Sequence, residues 1–244
     1  MFGHVEKNAY LCNEFQINYI MVDKIVLNIP HSSTILPVNT WEGDIMPHIR
    51  KWTDFHTDKL FIPKNTKEVT PVIFPISRFF CDVERLIDDE LEANGNGIYY
   101  TRFEDCKRNE DMKPFAMALW QGHINLLTSL ITSNDTLLID CHSFPAELSN
   151  VDICIGYNDN WSKPSDELLG HIKQYFEKAG YSVGVNEPYA NSLTPPSVYQ
   201  YKSLMIEINK SIYLDENNRL KSSAYTVSFL LEYLYRNILF VWNC

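Results

Sequence analysis

The chain has 244 residues, with 21 Lys plus Arg against 31 Asp plus Glu and a formal net charge of −10. Hydrophobic residues make up 45% and aromatic residues 13%, enough apolar surface for a folded core and too much for a disordered chain. The acidic balance, with no long Lys/Arg run, excludes a general phosphate-backbone binder, because counterion release needs clustered cations.

The first expected element is a strand over residues 24–29, an apolar run that ends in Pro30-His31-Ser32-Ser33. A helix is predicted over 44–61; within it Asp54 and Asp58 share one face at i, i+4 spacing while His56 points away. A second strand, 71–76, leads into Ser77-Arg78 and then Asp82-Val83-Glu84-Arg85. Residues 88–108, rich in Asp, Glu, Asn and Gly, resist assignment and are expected to be irregular. A helix over 111–133 carries Trp120 and His123, and a strand over 136–140 runs into Cys141-His142-Ser143. Next come a strand at 151–157, a helix at 165–179 opened by Pro164, Asp166 and Glu167, and a strand at 181–185. The Pro-bearing segment 186–202 (Pro188, Pro195, Pro196) is a second irregular stretch. A strand at 203–208 contains Glu207, and the closing helix 222–241 carries Glu232 and Arg236 at i, i+4, which suits a soluble helix rather than a membrane span.

Apolar strands alternating with amphipathic helices define an α/β sheet covered on both faces. No repeat or linker divides the chain, so residues 1–244 are expected to form a single domain. The six cysteines, Cys12, Cys81, Cys106, Cys141, Cys154 and Cys244, form no Cys-x-x-Cys pair, and Cys81, Cys141 and Cys154 sit among apolar residues. Buried free thiols fit a reducing compartment. Residues 1–21 are interrupted by Glu6, Lys7, Asn8, Asn13 and Glu14 and lack the apolar core of a signal peptide, so the expectation is a cytoplasmic protein.

Ligands of open, mostly parallel sheets bind outside the carboxyl ends of the strands. His31, His142 and Glu207 stand at three such ends. Two imidazoles plus a carboxylate make a catalytic zinc site with an open position, and a further carboxylate can move the water's proton. A lone strand-end histidine needs only satisfied nitrogens, but two at equivalent ends point to a shared task; Glu207, inside an apolar run, is costly to bury unless paired or metal-bound. The third ligand would come from Asp54, Asp58 or His56. Arg78 and Arg85, two guanidiniums in a chain poor in positive charge, suit an anionic substrate.

These motifs, in this order, resemble the N-formylglutamate amidohydrolase family, distant relatives of the zinc carboxypeptidases. The resemblance runs from about Val26 to Tyr213: Pro30-His31-Ser32, then Thr53-Asp54-Phe55-His56 with Asp58 and Leu60, then Ser77-Arg78 with Asp82 and Arg85. Ile139-Asp140-Cys141-His142-Ser143, Asp152-Ile153-Cys154-Ile155-Gly156 and Glu207-Ile208-Asn209-Lys210 with Tyr213 complete it. It implies a three-layer α/β/α sandwich with a mixed, mostly parallel sheet, phosphorylase/hydrolase-like as in the zinc carboxypeptidases. It also implies Zn2+ or another divalent metal on His31, Asp54 (or His56) and His142, with Glu207 as general base and acid. Arg78 and Arg85 would meet the substrate's carboxylates, and His123 and Asp152 fall where the motifs place further substrate contacts. The chain departs from the family pattern at Ser33 (Gly favoured), Glu84 (Asn favoured) and Lys210 (Arg common). Glu84 adds negative charge beside the two arginines.

The implied activity is hydrolysis of the amide bond of a small N-acyl amino acid such as N-formylglutamate. Two alternatives stand beside it: a peptidase or deacylase acting on a larger, peptide-like substrate, which the aromatics Tyr189, Tyr199 and Tyr201 would suit, and a non-catalytic metabolite-binding domain on the same fold. No nucleic acid or membrane partner is expected.

Overall fold

A computed structural model describes residues 22–87 and 89–240. The readings that rest on residues 1–21, on Cys12 and Cys244, and on the last residue of the C-terminal helix lie outside them.

Among the described residues, nine strands and six α-helices follow in chain order. They are β1 (Lys24–Ile29), β2 (Trp41–Glu42), α1 (Met46–Trp52), α2 (Thr57–Leu60), β3 (Val69–Ile73), β4 (Arg102–Phe103), β5 (Cys106–Arg108) and α3 (Lys113–Leu130). After these come β6 (Thr136–Phe144), β7 (Ile153–Gly156), α4 (Asp166–Lys178), β8 (Val183–Val185), β9 (Lys202–Asn209), α5 (Lys210–Tyr213) and α6 (Ser223–Phe240). Six strands form the main sheet in the order β3-β1-β6-β9-β7-β8, parallel throughout except where β7 runs antiparallel to β9.

Period-two alternation sends the two sides of each strand into two cores. Ile25, Leu27 and Ile29 of β1, Leu137, Ile139 and Cys141 of β6, and Leu204, Ile206 and Ile208 of β9 are buried with Leu168, Ile172 and Phe176 of α4 and Val227, Leu231 and Leu234 of α6. Val26 and Leu138, on the other face, pack with Ala116, Trp120, Ile124 and Leu127 of α3, a stripe at helical spacing. Helices therefore cover both faces, giving three α/β/α layers, as the motifs implied. Burying each such Leu or Ile contributes about 1.5–3 kcal/mol.

The alternation also selects where chemistry can sit. With Ile139 and Cys141 facing α4 and α6, Asp140 and His142 face the α3 side; the register pairs His142 with Glu207 and Asp140 with Met205, which puts Glu207 on the same side. Asn28 pairs with Asp140 in the same way.

Several boundaries differ from the sequence reading. The helix predicted over 44–61 is two short helices. The backbone N–H of Asp54 is taken by the carbonyl of His31 (3.0 Å), Thr53 is extended and His56 adopts φ 64°, so the chain turns at 53–56 and swings Asp54 under the end of β1. Asp54 and Asp58 thus do not share a helical face. The strand expected at 71–76 spans Val69–Ile73, and β6 runs four residues past Asp140, so His142 lies within the strand rather than after it. The expected strands at 151–157 and 181–185 shorten to β7 and β8. α4 starts behind Ser165, whose hydroxyl accepts from the Leu168 N–H at 3.2 Å, the capping chemistry that precedes its acidic first turn.

The segment 88–108 contains two strands of a small antiparallel sheet, β2-β5-β4. Arg108 of β5 is buried with its guanidinium 3.6 Å from the Tyr99 ring centroid, and it donates to the Phe79 carbonyl (3.1 Å), which Trp41 of β2 also reaches through its indole N–H (2.9 Å). The small sheet thereby pins the loop that follows β3. Among the described residues no helix is long and apolar enough to cross a membrane.

Candidate functional site

Five segments meet at the carboxyl ends of β1, β6 and β9. They are the β1 end with His31, the turn between α1 and α2 with Asp54, the loop after β3 with Arg78, Asp82, Glu84 and Arg85, the end of β6 with His142, and the end of β9 with Glu207. His31, Asp54, Asp82, His142 and Glu207 are all buried. The two imidazoles lie 4.9 Å apart, centroid to centroid.

Each imidazole has one nitrogen in a hydrogen bond and the other within ion-pair distance of a carboxylate. His31 Nε2 bonds Asp82 Oδ1 at 2.7 Å, and His142 Nδ1 bonds Asp54 Oδ2 at 3.0 Å. The opposite nitrogens, His31 Nδ1 and His142 Nε2, are buried without a hydrogen-bond partner among the described residues, as is Glu207 Oε2. Carboxylate oxygens lie within ion-pair distance of both of these nitrogens. Asp54 Oδ2 and Glu84 Oε2 are each 3.7 Å from His31 Nδ1, and Glu84 Oε1 is 2.9 Å from His142 Nε2.

Buried imidazoles and carboxylates are costly unless paired or metal-bound, and the grouping of His31, Asp54 and His142 fits a cation. One ligand atom each from His31, Asp54 and His142 lies within 4.8 Å of the others. A tetrahedral zinc with bonds of about 2.1 Å spaces its donors about 3.4 Å apart; the observed 3.7 Å (His31 Nδ1 to Asp54) and 3.0 Å (His142 Nδ1 to Asp54) bracket that spacing. The Asp82 bond to the far nitrogen of His31 is a contact of the kind that orients imidazoles in metal sites.

Asp82 is the hub of the surrounding network. Besides His31, it accepts from Tyr100 OH (2.8 Å), Arg78 Nη2 (2.9 Å) and the Glu84 N–H (3.2 Å), with Arg85 Nε at 3.6 Å. Burial pushes its carboxyl up, but Arg78, His31 and Arg85 outweigh that and hold it well below the usual carboxylate range. Asp54 is likewise held low against burial by His142, His31 and Lys210, whose ammonium lies 3.8 Å away. Burial raises Glu207 to about 8; His142 opposes the shift, while Asp54 and Glu84 add to it. His142 moves the other way: burial disfavours its charge, yet Glu84 and Asp54 hold the imidazolium well above the ordinary value, and Glu84 itself is drawn down to about 2.

A cleft of about 300 Å³ opens over this cluster, lined among others by Asp54, Arg78, Glu84, Arg85, His142, Tyr189 and Glu207. Of the residues singled out from sequence, His31, Asp54, His142, Glu207, Arg78 and Arg85 come together here. His123 and Asp152 do not. His123 Nε2 bonds Asn28 Oδ1 (2.8 Å), and Asn28 in turn donates to Asp140 (2.9 Å), a buried chain beneath α3. Asp152 accepts from the Ser182 N–H and hydroxyl, both at 2.8 Å, tying β7 to β8. His56 turns to the Asn218 carbonyl (3.2 Å), which leaves Asp54 as the carboxylate of that segment facing the imidazoles. Sequence reasoning did not single out Tyr100 or give Asp82 a role of its own. The Asp82-x-Glu84-Arg85 spacing was visible, whereas Tyr100 lies in a segment with no pattern to expose it.

Fold and cluster together define an α/β/α sandwich with a buried histidine–carboxylate centre at the carboxyl ends of its central strands. The family model described as N-formylglutamate amidohydrolase matches residues 23–214, and the chain belongs to that family. A solved N-formylglutamate amidohydrolase from Ralstonia eutropha JMP134 superposes with a TM-score of 0.69 at 18% identity, over 91% of this chain and 94% of that one. The gene product Atu2144 from Agrobacterium tumefaciens gives 0.61 at 15% identity, over 90% and 92%. These likenesses establish the shared fold. No curated protein gives a significant sequence match.

Proposed function

We propose that the protein is a metal-dependent amidohydrolase that cleaves the amide bond of a small N-acyl amino acid such as N-formylglutamate. In this reading His31, Asp54 and His142 hold zinc or another divalent cation, and Glu207 is the general base and acid. The observation that carries it is the buried grouping of His31, Asp54 and His142, with ligand atoms within 4.8 Å of one another, in the cluster that also holds the unpartnered Oε2 of Glu207. A divalent cation in such a site supplies Lewis acidity, polarising a carbonyl and letting water ionise near neutral pH.

The remaining steps belong to side chains. Glu207 takes the proton of the attacking water and returns it to the amine that leaves; a carboxyl held near 8 by burial is poised for both transfers close to neutral pH. Arg85 meets a substrate carboxylate, since the residue lines the cleft beside Glu84 and Arg78. Arg78, committed through Nη2 to Asp82 and Tyr100, holds the loop and adds positive potential where the tetrahedral oxyanion forms. Asp82 keeps His31 in the orientation that turns Nδ1 towards Asp54.

The size of the cleft, about 300 Å³, favours a small N-acyl amino acid over a long peptide. Cys81, Cys106, Cys141 and Cys154 are buried free thiols, which supports a reducing, cytoplasmic setting.

Glu207→Gln tests the assignment. Turnover of N-formylglutamate should fall by about 100-fold or more while metal content stays at the wild-type level. Metal lost along with activity would make Glu207 a ligand, and retained activity would remove it from the reaction; either result contradicts the mechanism.

A further inference from the structure

The cleft over the histidine–carboxylate centre has two unlike parts. In the first, the cationic side chains that line it, Arg78, Arg85 and Lys210, already face carboxylates. Arg78 Nη2 donates to Asp82 (2.9 Å), Arg85 Nε lies 3.6 Å from the same carboxylate, and the Lys210 ammonium lies 3.8 Å from Asp54 while donating to the Lys51 carbonyl (2.7 Å). Glu84 lines the cleft with both arginines, so Asp54, Asp82 and Glu84 match these cations one for one. Arg85, with the longer of the two arginine contacts to Asp82, can share its guanidinium with one incoming carboxylate. A second carboxylate on the same substrate would find no unmatched cationic side chain there and would be set against Glu84.

The second part is apolar and rigidly packed. Phe103 of β4 stacks on Tyr100 (ring centroids 6.0 Å apart, planes 11° apart) and meets Phe79 edge-on at 5.1 Å, and Trp52 of α1 packs against the same cluster. Phe103, Trp52, Leu91 and Tyr189 all line the cleft, and none of the four is fully buried; Leu91 is 37% exposed. An apolar wall beside a few polar groups that fix orientation is the make-up of a small-molecule site, and such a wall gains most from an apolar group laid over it.

We propose that the preferred substrate is an N-acyl amino acid with one carboxylate and an aromatic or large apolar side chain. This rests on the amidohydrolase reading above and names its substrate class. Arg85 takes the single carboxylate, and the side chain covers Phe103, Trp52 and Leu91. N-formylglutamate enters the same cleft as a poorer substrate, because its second carboxylate meets Glu84 and leaves the apolar wall bare.

The test is kcat/KM of the full chain, supplied with zinc, on N-formylphenylalanine, N-formylalanine and N-formylglutamate, for wild type and Leu91→Ser. Wild type should favour N-formylphenylalanine over each of the others by at least about tenfold, since even one methylene group in an apolar pocket is worth about 10–200-fold. Leu91→Ser changes a partly exposed position and should lower the phenylalanine-to-alanine ratio by at least about threefold through KM, whereas a structural fault would lower both substrates together. N-formylglutamate or N-formylalanine turned over as well as N-formylphenylalanine, or an unchanged ratio in Leu91→Ser, overturns the inference and leaves the amidohydrolase standing. Zinc-loaded protein that hydrolyses none of the three overturns both the inference and the function it rests on.

Discussion

Asp82→Asn keeps the shape of the side chain and removes the charge on which His31, Arg78, Tyr100 and Arg85 converge. Asp82 is fully buried and its contacts with His31, Tyr100 and Arg78 measure 2.7, 2.8 and 2.9 Å. An amide offers one acceptor oxygen and places an amino group where either His31 or the Arg78–Tyr100 pair needs an acceptor. Removing one partner of a buried ion pair costs about 3–5 kcal/mol. The Arg78 side chain is 16% exposed and recovers some hydration, so the lower end applies, about 3 kcal/mol out of a total stability of roughly 5–15 kcal/mol. With a urea m-value of about 3 kcal/mol/M, the unfolding midpoint should fall by about 1 M. Zinc affinity should drop 10–100-fold in the same variant, because His31 loses the contact that orients its ring. A midpoint within about 0.2 M of wild type, together with intact zinc affinity, would refute the role of Asp82 as the hub.

Two further outcomes follow from the buried residues around the site. Burial, helped by His31, lowers His123 to about 4 from an ordinary imidazole value near 6.5. The fold therefore favours the neutral ring, so its contribution is complete above pH 6.5 and is lost as pH falls towards 4. Between pH 7 and 4.5 wild type should lose about 2–3 kcal/mol of unfolding free energy relative to His123→Gln; denaturant titrations showing a constant difference would contradict this. Gly156, at the end of β7, is packed so closely that an added Cβ would lie 2.8 Å from the Asn191 carbonyl. Gly156→Ala should cost about 1–3 kcal/mol and raise KM, because the displaced backbone adjoins Tyr189 and Ala190 of the cleft wall; unchanged urea midpoint and KM would argue against that packing.

The parts of the site carried by the central strands were legible in the sequence. A strand that reads as an apolar run and ends in a polar cluster announces both its burial and its carboxyl end, so His31, His142 and Glu207 could be placed at one edge of the sheet before their register was known. Asp54 was placed beside Asp58 on a helical face that does not exist: local periodicity across residues 44–61 favours one helix, and the break comes from a long-range bond between the Asp54 N–H and the His31 carbonyl. His123 followed the same limit. Helical spacing places it on the buried stripe of α3, but only tertiary packing decides that Asn28, and not the cleft, receives its ring. The small β2-β5-β4 sheet was hidden because strands of two or three residues have no period to detect. Glu84 was visible as a departure from the family pattern and as an objection to an anionic substrate. Its position against both imidazoles depended on the loop geometry that the small sheet fixes.

Metal content and turnover measured on the same purified protein test the central claim most directly. The account predicts about one divalent ion per chain, held by two imidazoles and a carboxylate. It also predicts hydrolysis of N-formylglutamate that stops on chelation and returns on metal add-back, and loss of both the ion and the activity in His31→Ala and His142→Ala. Full metal content in both histidine variants, or wild-type turnover that survives complete removal of the ion, would contradict it.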